Sequence, residues 1–170
     1  DANKPLVLRD WQKDIIRGVY DPVLPDGRRQ VREALLTMAR KNGKTELIAA
    51  LALCHLMGPE SETRGEVYSA AVDRFQAAQV FKAAKAMIEA DAELRGMVNI
   101  IESTKRIVHY ASGSFYQALS SDAKSKHGFN PSCVIYDELA QARDRNLYDV
   151  LTTAMGARGQ PLTWVISTKS

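Results

Sequence analysis

The chain's 170 residues are 45% hydrophobic and 25% charged, proportions that sustain a packed core and exclude a disordered or fibrous chain. The formal net charge of +3 permits contact with nucleic acid without demanding it. No apolar run approaches the roughly 20 residues a bilayer crossing needs, so no membrane role is expected.

The first predicted element is a helix over LRDWQKDIIRGVYDP, with Trp11, Ile15, Ile16 and Val19 at helical spacing and a stop at Pro22. A Pro-Asp-Gly turn signal follows, then VREALLTMA as a strand, the loop RKNGKTE, and a strongly helical apolar run LIAALALCHLM ended by Gly58-Pro59. EVYSAAV reads as a second strand. DRFQAAQVFKAAKAMIEADAEL reads as one long helix with Asp73 as N-cap and Gly96 after its end. MVNIIES, RIVHYA and SFYQALS are short strands with tight turns between them, an antiparallel portion. CVIYDELAQA is an apolar strand ending in acids, NLYDVLTTAMGA a helix, and PLTWVISTKS a last strand. Alternating strands and helices imply a mostly parallel sheet with helices on both faces. Cys54 and Cys133 read as reduced, buried thiols, because no CxxC or His/Cys cluster surrounds them.

The strongest motif is Met38-Ala39-Arg40-Lys41-Asn42-Gly43-Lys44-Thr45, set between a strand and a helix. Its second half matches the phosphate loop GxxxxGK[ST], while Met38 stands where the first glycine would be. Backbone N–H groups at such a helix start face a phosphate, and the helix dipole favours its charge. Gly43 frees the backbone to turn, Lys44 reaches outer phosphate oxygens, and the Thr45 hydroxyl suits Mg2+. Arg40 and Lys41 add positive charge for further phosphate contacts. Downstream, Val134-Ile135-Tyr136 leads into Asp137-Glu138. Asp137 would orient Mg2+, and Glu138 would take the proton from an attacking water. The pair favours hydrolysis over mere binding.

These segments together resemble the large terminase subunits of tailed bacteriophages. The resemblance rests on LRDWQ, ARKNGKTE, VYSAAVDRFQAAQVF, AKSKHGFNPSCVIYDELAQA and VISTKS, and spans nearly the whole chain. It implies an α/β P-loop NTPase fold of RecA/ASCE type, with a mostly parallel central sheet flanked by helices and a small antiparallel portion. It implies that Gln12 reads adenine with Trp11 beside it, and that Arg40 contacts phosphates. The loop residues Lys41, Asn42, Gly43, Lys44, Thr45 and Glu46 would surround the nucleotide, with Thr45 and Asp137 as metal ligands. Ser167 and Thr168 would form the coupling motif. Lys124 aligns best with the arginine-finger position, where a lysine lacks the bidentate fork of an arginine; Arg143 and Arg158 are other candidates.

The resemblance further implies ATP and Mg2+ as ligands and double-stranded DNA as the cargo. Portal protein, procapsid and the small terminase subunit would be partners, in a homo-oligomeric ring, typically a pentamer, in the host cytoplasm. Residues 1–170 are expected to form a single motor domain without the nuclease domain. The alternatives are a helicase-like P-loop motor and a P-loop phosphotransferase. A phosphotransferase would normally keep the first loop glycine and carry a lid with several arginines.

Overall fold

The computed structural model describes residues 7–120, 128–138 and 146–169. The finger candidates Lys124 and Arg143 lie outside them. A seven-stranded sheet runs in the order β1-β7-β6-β2-β5-β4-β3. Its members are β1 (Glu33–Ala39), β2 (Glu66–Ala71), β3 (Val98–Ile101), β4 (Arg106–His109), β5 (Phe115–Ser120), β6 (Cys133–Asp137) and β7 (Leu162–Lys169). The five strands from β1 to β5 along that order pair in parallel. β5-β4-β3 is the antiparallel portion expected from the sequence.

Two apolar clusters flank the sheet. On one face, α1 (Asp10–Tyr20), α2 (Lys44–Met57) and α3 (Arg74–Glu89) pack over Leu36, Met38, Val67, Ile135, Trp164 and Ile166. On the other, α5 (Asn146–Ala154) and the 3-10 turn Met155–Ala157 cover Tyr68, Ala70, Val134 and Tyr136. β6, apolar at every position but its last, is buried throughout, as a central parallel strand must be. β1 alternates exposed and buried because it is an edge strand with one helical face.

The long helix expected after Asp73 is broken. Asp73 does cap α3 through Gln76 N–H. Ala90 closes α3, and Asp91 then caps a separate short helix, α4 (Ala92–Met97), by accepting from the N–H groups of Glu93 and Leu94. A second strong N-cap inside an apolar-periodic run ends one helix and starts another, so Gly96 lies within α4 rather than beyond a helix end.

The order β1-β7-β6 has a direct consequence for chemistry. The strand leading into the phosphate loop and the strand ending in the acids are not neighbours. β7 lies between them, so its C-terminal residues enter the crevice at the strands' carboxyl ends.

Candidate active site

α2 begins at Lys44, three residues earlier than its apolar run suggests, so Lys44, Thr45 and Glu46 form its first turn. Their N–H groups have no partner inside the helix and are free for an anion. Gly43 is the N-cap, with φ 77° and ψ 32°. A Cβ there would meet only Glu46 Oε2 at 3.8 Å. The glycine is therefore required by the left-handed backbone and not by lack of room. Lys41 also has positive φ, at 65°. Met38, in the position of the missing first glycine, is inside β1 with its side chain in the core, 2% exposed. The loop's tight turning falls on residues 41–43, and position 38 needs bulk.

Lys44 Nζ meets both acids. It donates to Glu138 Oε1 at 3.0 Å and lies 2.7 Å from Asp137 Oδ1. The Asp137 contact is a short, charge-assisted ion pair through Oδ1, and Oδ2 has no partner among the described residues. Asp137 is 2% exposed. Burial raises its pKa above the usual carboxylate range, and the opposing pull of Lys44 does not cancel this. Lys44 suffers burial too, yet its contacts with Asp137 and then Glu138 outweigh it and hold the ammonium's pKa above normal.

Glu138 follows β6 with φ 59°, a left-handed turn that costs a non-glycine residue about 1 kcal/mol. That turn aims its carboxylate back across β7. Oε1 accepts from Thr168 N–H at 2.7 Å, from Thr168 Oγ1 at 2.7 Å and from Lys44. Oε2 has no partner among the described residues. Burial alone would raise the Glu138 pKa; Thr168 and Lys44 outweigh it and lower it.

Two clefts open on this assembly. The first, about 260 Å³, is lined by Arg40, Lys41, Lys44, Asp137, Glu138 and Thr168, with Val72, Asp73 and Gln76 across from them. The second, about 230 Å³, lies between the start of α1 and the loop and is lined by Arg9, Gln12, Lys41, Asn42, Gly43 and Glu46, among others. Lys41 borders both, so a ligand with a charged end and a flat end would pass beside it.

Residues 10–170 match the family model of the ATPase domain of the terminase large subunit. The chain belongs to that family. It is 41% identical over 169 residues to the large terminase subunit of enterobacteria phage HK97, an alignment covering 98% of this chain and 32% of that one. The crystal structure of the HK97 large terminase superposes with a TM-score of 0.87 at 41% identity, covering 96% of this chain and 34% of that one. The ATPase domain of the Thermus phage P74-26 large terminase shares the fold at a TM-score of 0.67 and 19% identity, with 98% of this chain and 71% of that one covered. This terminase ATPase chain thus spans about a third of the length of the HK97 relatives it matches.

Within this terminase domain, the structure brings together Arg40, Lys41, Lys44, Asp137, Glu138 and Thr168 in one cleft, and Gln12, Asn42, Gly43 and Glu46 in the adjoining one. Thr45 is half-buried in the first turn of α2. Trp11 packs against the α1–α3 core instead of lining the second cleft. Ser167 alternates with Thr168 along β7 and so faces the opposite side of the sheet. Arg158 lines neither cleft. Its guanidinium donates to the carbonyls of Asn130 and Arg64 at 2.8–3.1 Å and pairs with Glu62 at 3.5 Å. Those residues precede β6 and β2, so within its own chain Arg158 clamps the end of the sheet opposite the acids and cannot serve as a finger there. Arg9, Asp73 and Gln76 line the clefts without having been expected there from sequence, where Asp73 reads only as an N-cap. The position of Asp73 and Gln76 just beyond the carboxyl end of β2 was the available signal.

Proposed function

We propose that this chain binds ATP with Mg2+ and hydrolyses it, as the motor part of a machine that drives double-stranded DNA into a procapsid. The observation that carries the reading is the meeting of Lys44 with Asp137 and Glu138 at the carboxyl end of the sheet, in a member of the terminase ATPase family. The triphosphate lies in the cleft of Arg40, Lys41 and Lys44, against the first-turn N–H groups of α2. Gln12 meets adenine in the second cleft, while Trp11 supports the helix that carries it. On binding, Lys44 exchanges the two acids for phosphate oxygens.

Mg2+ suits the residues present. Asp137 offers a buried carboxylate whose Oδ1 is held only by Lys44 and whose Oδ2 has no partner among the described residues, and the Thr45 hydroxyl stands at the start of α2. Among the described residues, no cluster of three or more His, Cys, Asp or Glu forms a metal cage. Mg2+ prefers such a sparse site, completed by phosphate and water. When bound it neutralises phosphate charge. Glu138 Oε2, turned by the left-handed backbone and left unbonded, accepts the proton of the attacking water. Thr168, held to Oε1, passes the state of the nucleotide to β7, with Ser167 as its neighbour. Lys124 is the candidate for a group acting across a ring of copies.

Portal protein, procapsid and small subunit complete the proposed assembly, with about five copies in the ring and the host cytoplasm as its place of action. No helix among the described residues is long and apolar enough to cross a membrane. The test is ATP turnover by the protein with and without DNA and portal-bearing procapsids. Glu138→Gln should retain ATP affinity and lose about 10²–10⁴-fold in kcat. Turnover at the parent rate in that variant, or phosphate transfer to an added acceptor, would sink the reading.

A further inference from the structure

The start of α1 is built around Gln12. Its side chain is 7% exposed, lines the second cleft, and sends Oε1 back to the N–H of Arg9 at 2.9 Å. This is half of a capping box, with Arg9 at the N-cap and Gln12 at N3. A backbone N–H can be satisfied only by the carbonyl end of a carboxamide, so the bond also fixes which way the amide faces. Oε1 keeps one free lone pair, and Nε2 donates to no described residue. The guanidinium of Arg9 reaches the other wall of the cleft, donating to Asn42 Oδ1 of the loop at 3.1 Å.

We propose that Arg9 is the positioning residue that sets base selectivity here, its backbone N–H holding the Gln12 carboxamide ready and its side chain latching α1 to Asn42. The proposal rests on the reading of this cleft as the base subsite of an ATP site. A carboxamide with a free N–H2 and one free lone pair matches the ring-nitrogen acceptor and amino donor on one edge of adenine, whereas guanine offers two acceptors there. Gln12 held in place before binding loses little rotamer freedom on binding. Freed, it gives up about 0.5–1.5 kcal/mol, a factor of roughly 2–12 in affinity for adenine alone.

Residue 9 allows the backbone donor to be removed separately from the side chain. Its φ of −73° and ψ of 159° are values proline adopts. Arg9→Pro deletes both the N–H and the guanidinium, while Arg9→Ala deletes only the guanidinium. Dissociation constants for ATP, GTP and tripolyphosphate are measured on the protein and both variants. Arg9→Ala should weaken ATP and GTP alike and keep the ATP-over-GTP ratio. Arg9→Pro should lower that ratio about fivefold with tripolyphosphate binding equal to that of Arg9→Ala. Equal ratios in the two variants overturn the proposal. Gln12→Ala separates the layers, since an unchanged ratio there means that the cleft does not read a base at all. Amide hydrogen exchange gives a reading free of proline: the Arg9 N–H should be protected in the parent and lose protection in Gln12→Ala. An unprotected Arg9 N–H in the parent likewise overturns the assignment.

Discussion

Thr168 grips Glu138 twice, through its backbone N–H and its hydroxyl, both 2.7 Å from the same carboxylate oxygen. The hydroxyl bond goes to a charged acceptor and is worth about 1.5–3 kcal/mol. Thr168→Val keeps the backbone bond and the shape but loses the hydroxyl. We expect kcat to fall about tenfold with ATP affinity nearly unchanged. Thr168→Ser should restore the rate. The hydroxyl also helps hold Glu138 below the usual glutamate range, so the acid limb of the kcat/KM profile should move to higher pH in Thr168→Val. An unmoved limb would show that the hydroxyl does not tune the base.

Asp137 should set function against stability. Its folded pKa lies above the ordinary 3.8, chiefly through burial. A carboxyl group with a raised folded pKa opposes folding once it is ionised in the unfolded chain. The penalty therefore grows as pH rises through 3.8 toward the folded value and disappears below that window. Asp137→Asn should raise the Tm of the nucleotide-free protein at neutral pH by about 2–4 °C, with the gap closing in acid. The same variant should lose the Mg2+ dependence of ATP affinity. Thermal unfolding across pH and nucleotide binding with and without Mg2+ read the two halves independently. A neutral-pH Tm below that of the parent would mean that the Lys44 pair outweighs desolvation.

Much of the site was legible because its residues are local in sequence. Arg40 to Glu46 occupy one strand–helix junction, and Asp137 and Glu138 one strand end, so motif spacing finds them. Strand alternation could have separated Thr168 from Ser167, since Thr168 shares the face of the buried Trp164 and Ile166. The order β1-β7-β6 that puts Thr168 between lysine and acids is a long-range fact, and no local pattern contains it. Arg9 escaped for the same reason: its partner Asn42 is 33 residues away, and arginine is an unusual N-cap. The break at Asp91 was readable from its cap chemistry but was masked by continuous helical periodicity on both sides.

Arg158 gives a clean separation of structure from catalysis. Three of its contacts go to backbone carbonyls of Asn130 and Arg64, and one to Glu62. Arg158→Ala leaves those carbonyls without their charged donor and should destabilise the fold by about 2–3 kcal/mol. Turnover per folded molecule should stay within twofold of the parent, well short of the roughly 10³-fold or greater loss that removing an arginine finger causes. Urea unfolding and kcat measured well below the Tm decide between the two roles.

His55 should govern the acid limit of the fold. Trp164 Nε1 donates to the Tyr20 hydroxyl at 3.2 Å, and the same hydroxyl lies 2.8 Å from His55 Nε2 in a hydrogen bond. Tyr20, His55 and Trp164 thereby join α1, α2 and β7 in a hydrogen-bonded chain. Burial, with some help from the Arg29 charge, pushes its pKa down from 6.5 to about 3. A histidine with a lowered folded pKa contributes its stability above 6.5 and loses it as pH falls toward 3, because only the unfolded chain takes up the proton. The slope reaches up to ~1.4 kcal/mol per pH unit within that window. His55→Gln keeps an acceptor for Tyr20 and removes the titration. Urea midpoints measured from about pH 7 down to about pH 4 should fall less steeply in this variant than in the parent. Parallel slopes would mean that His55 takes up its proton over the same pH range folded as unfolded, and that burial does not hold it neutral.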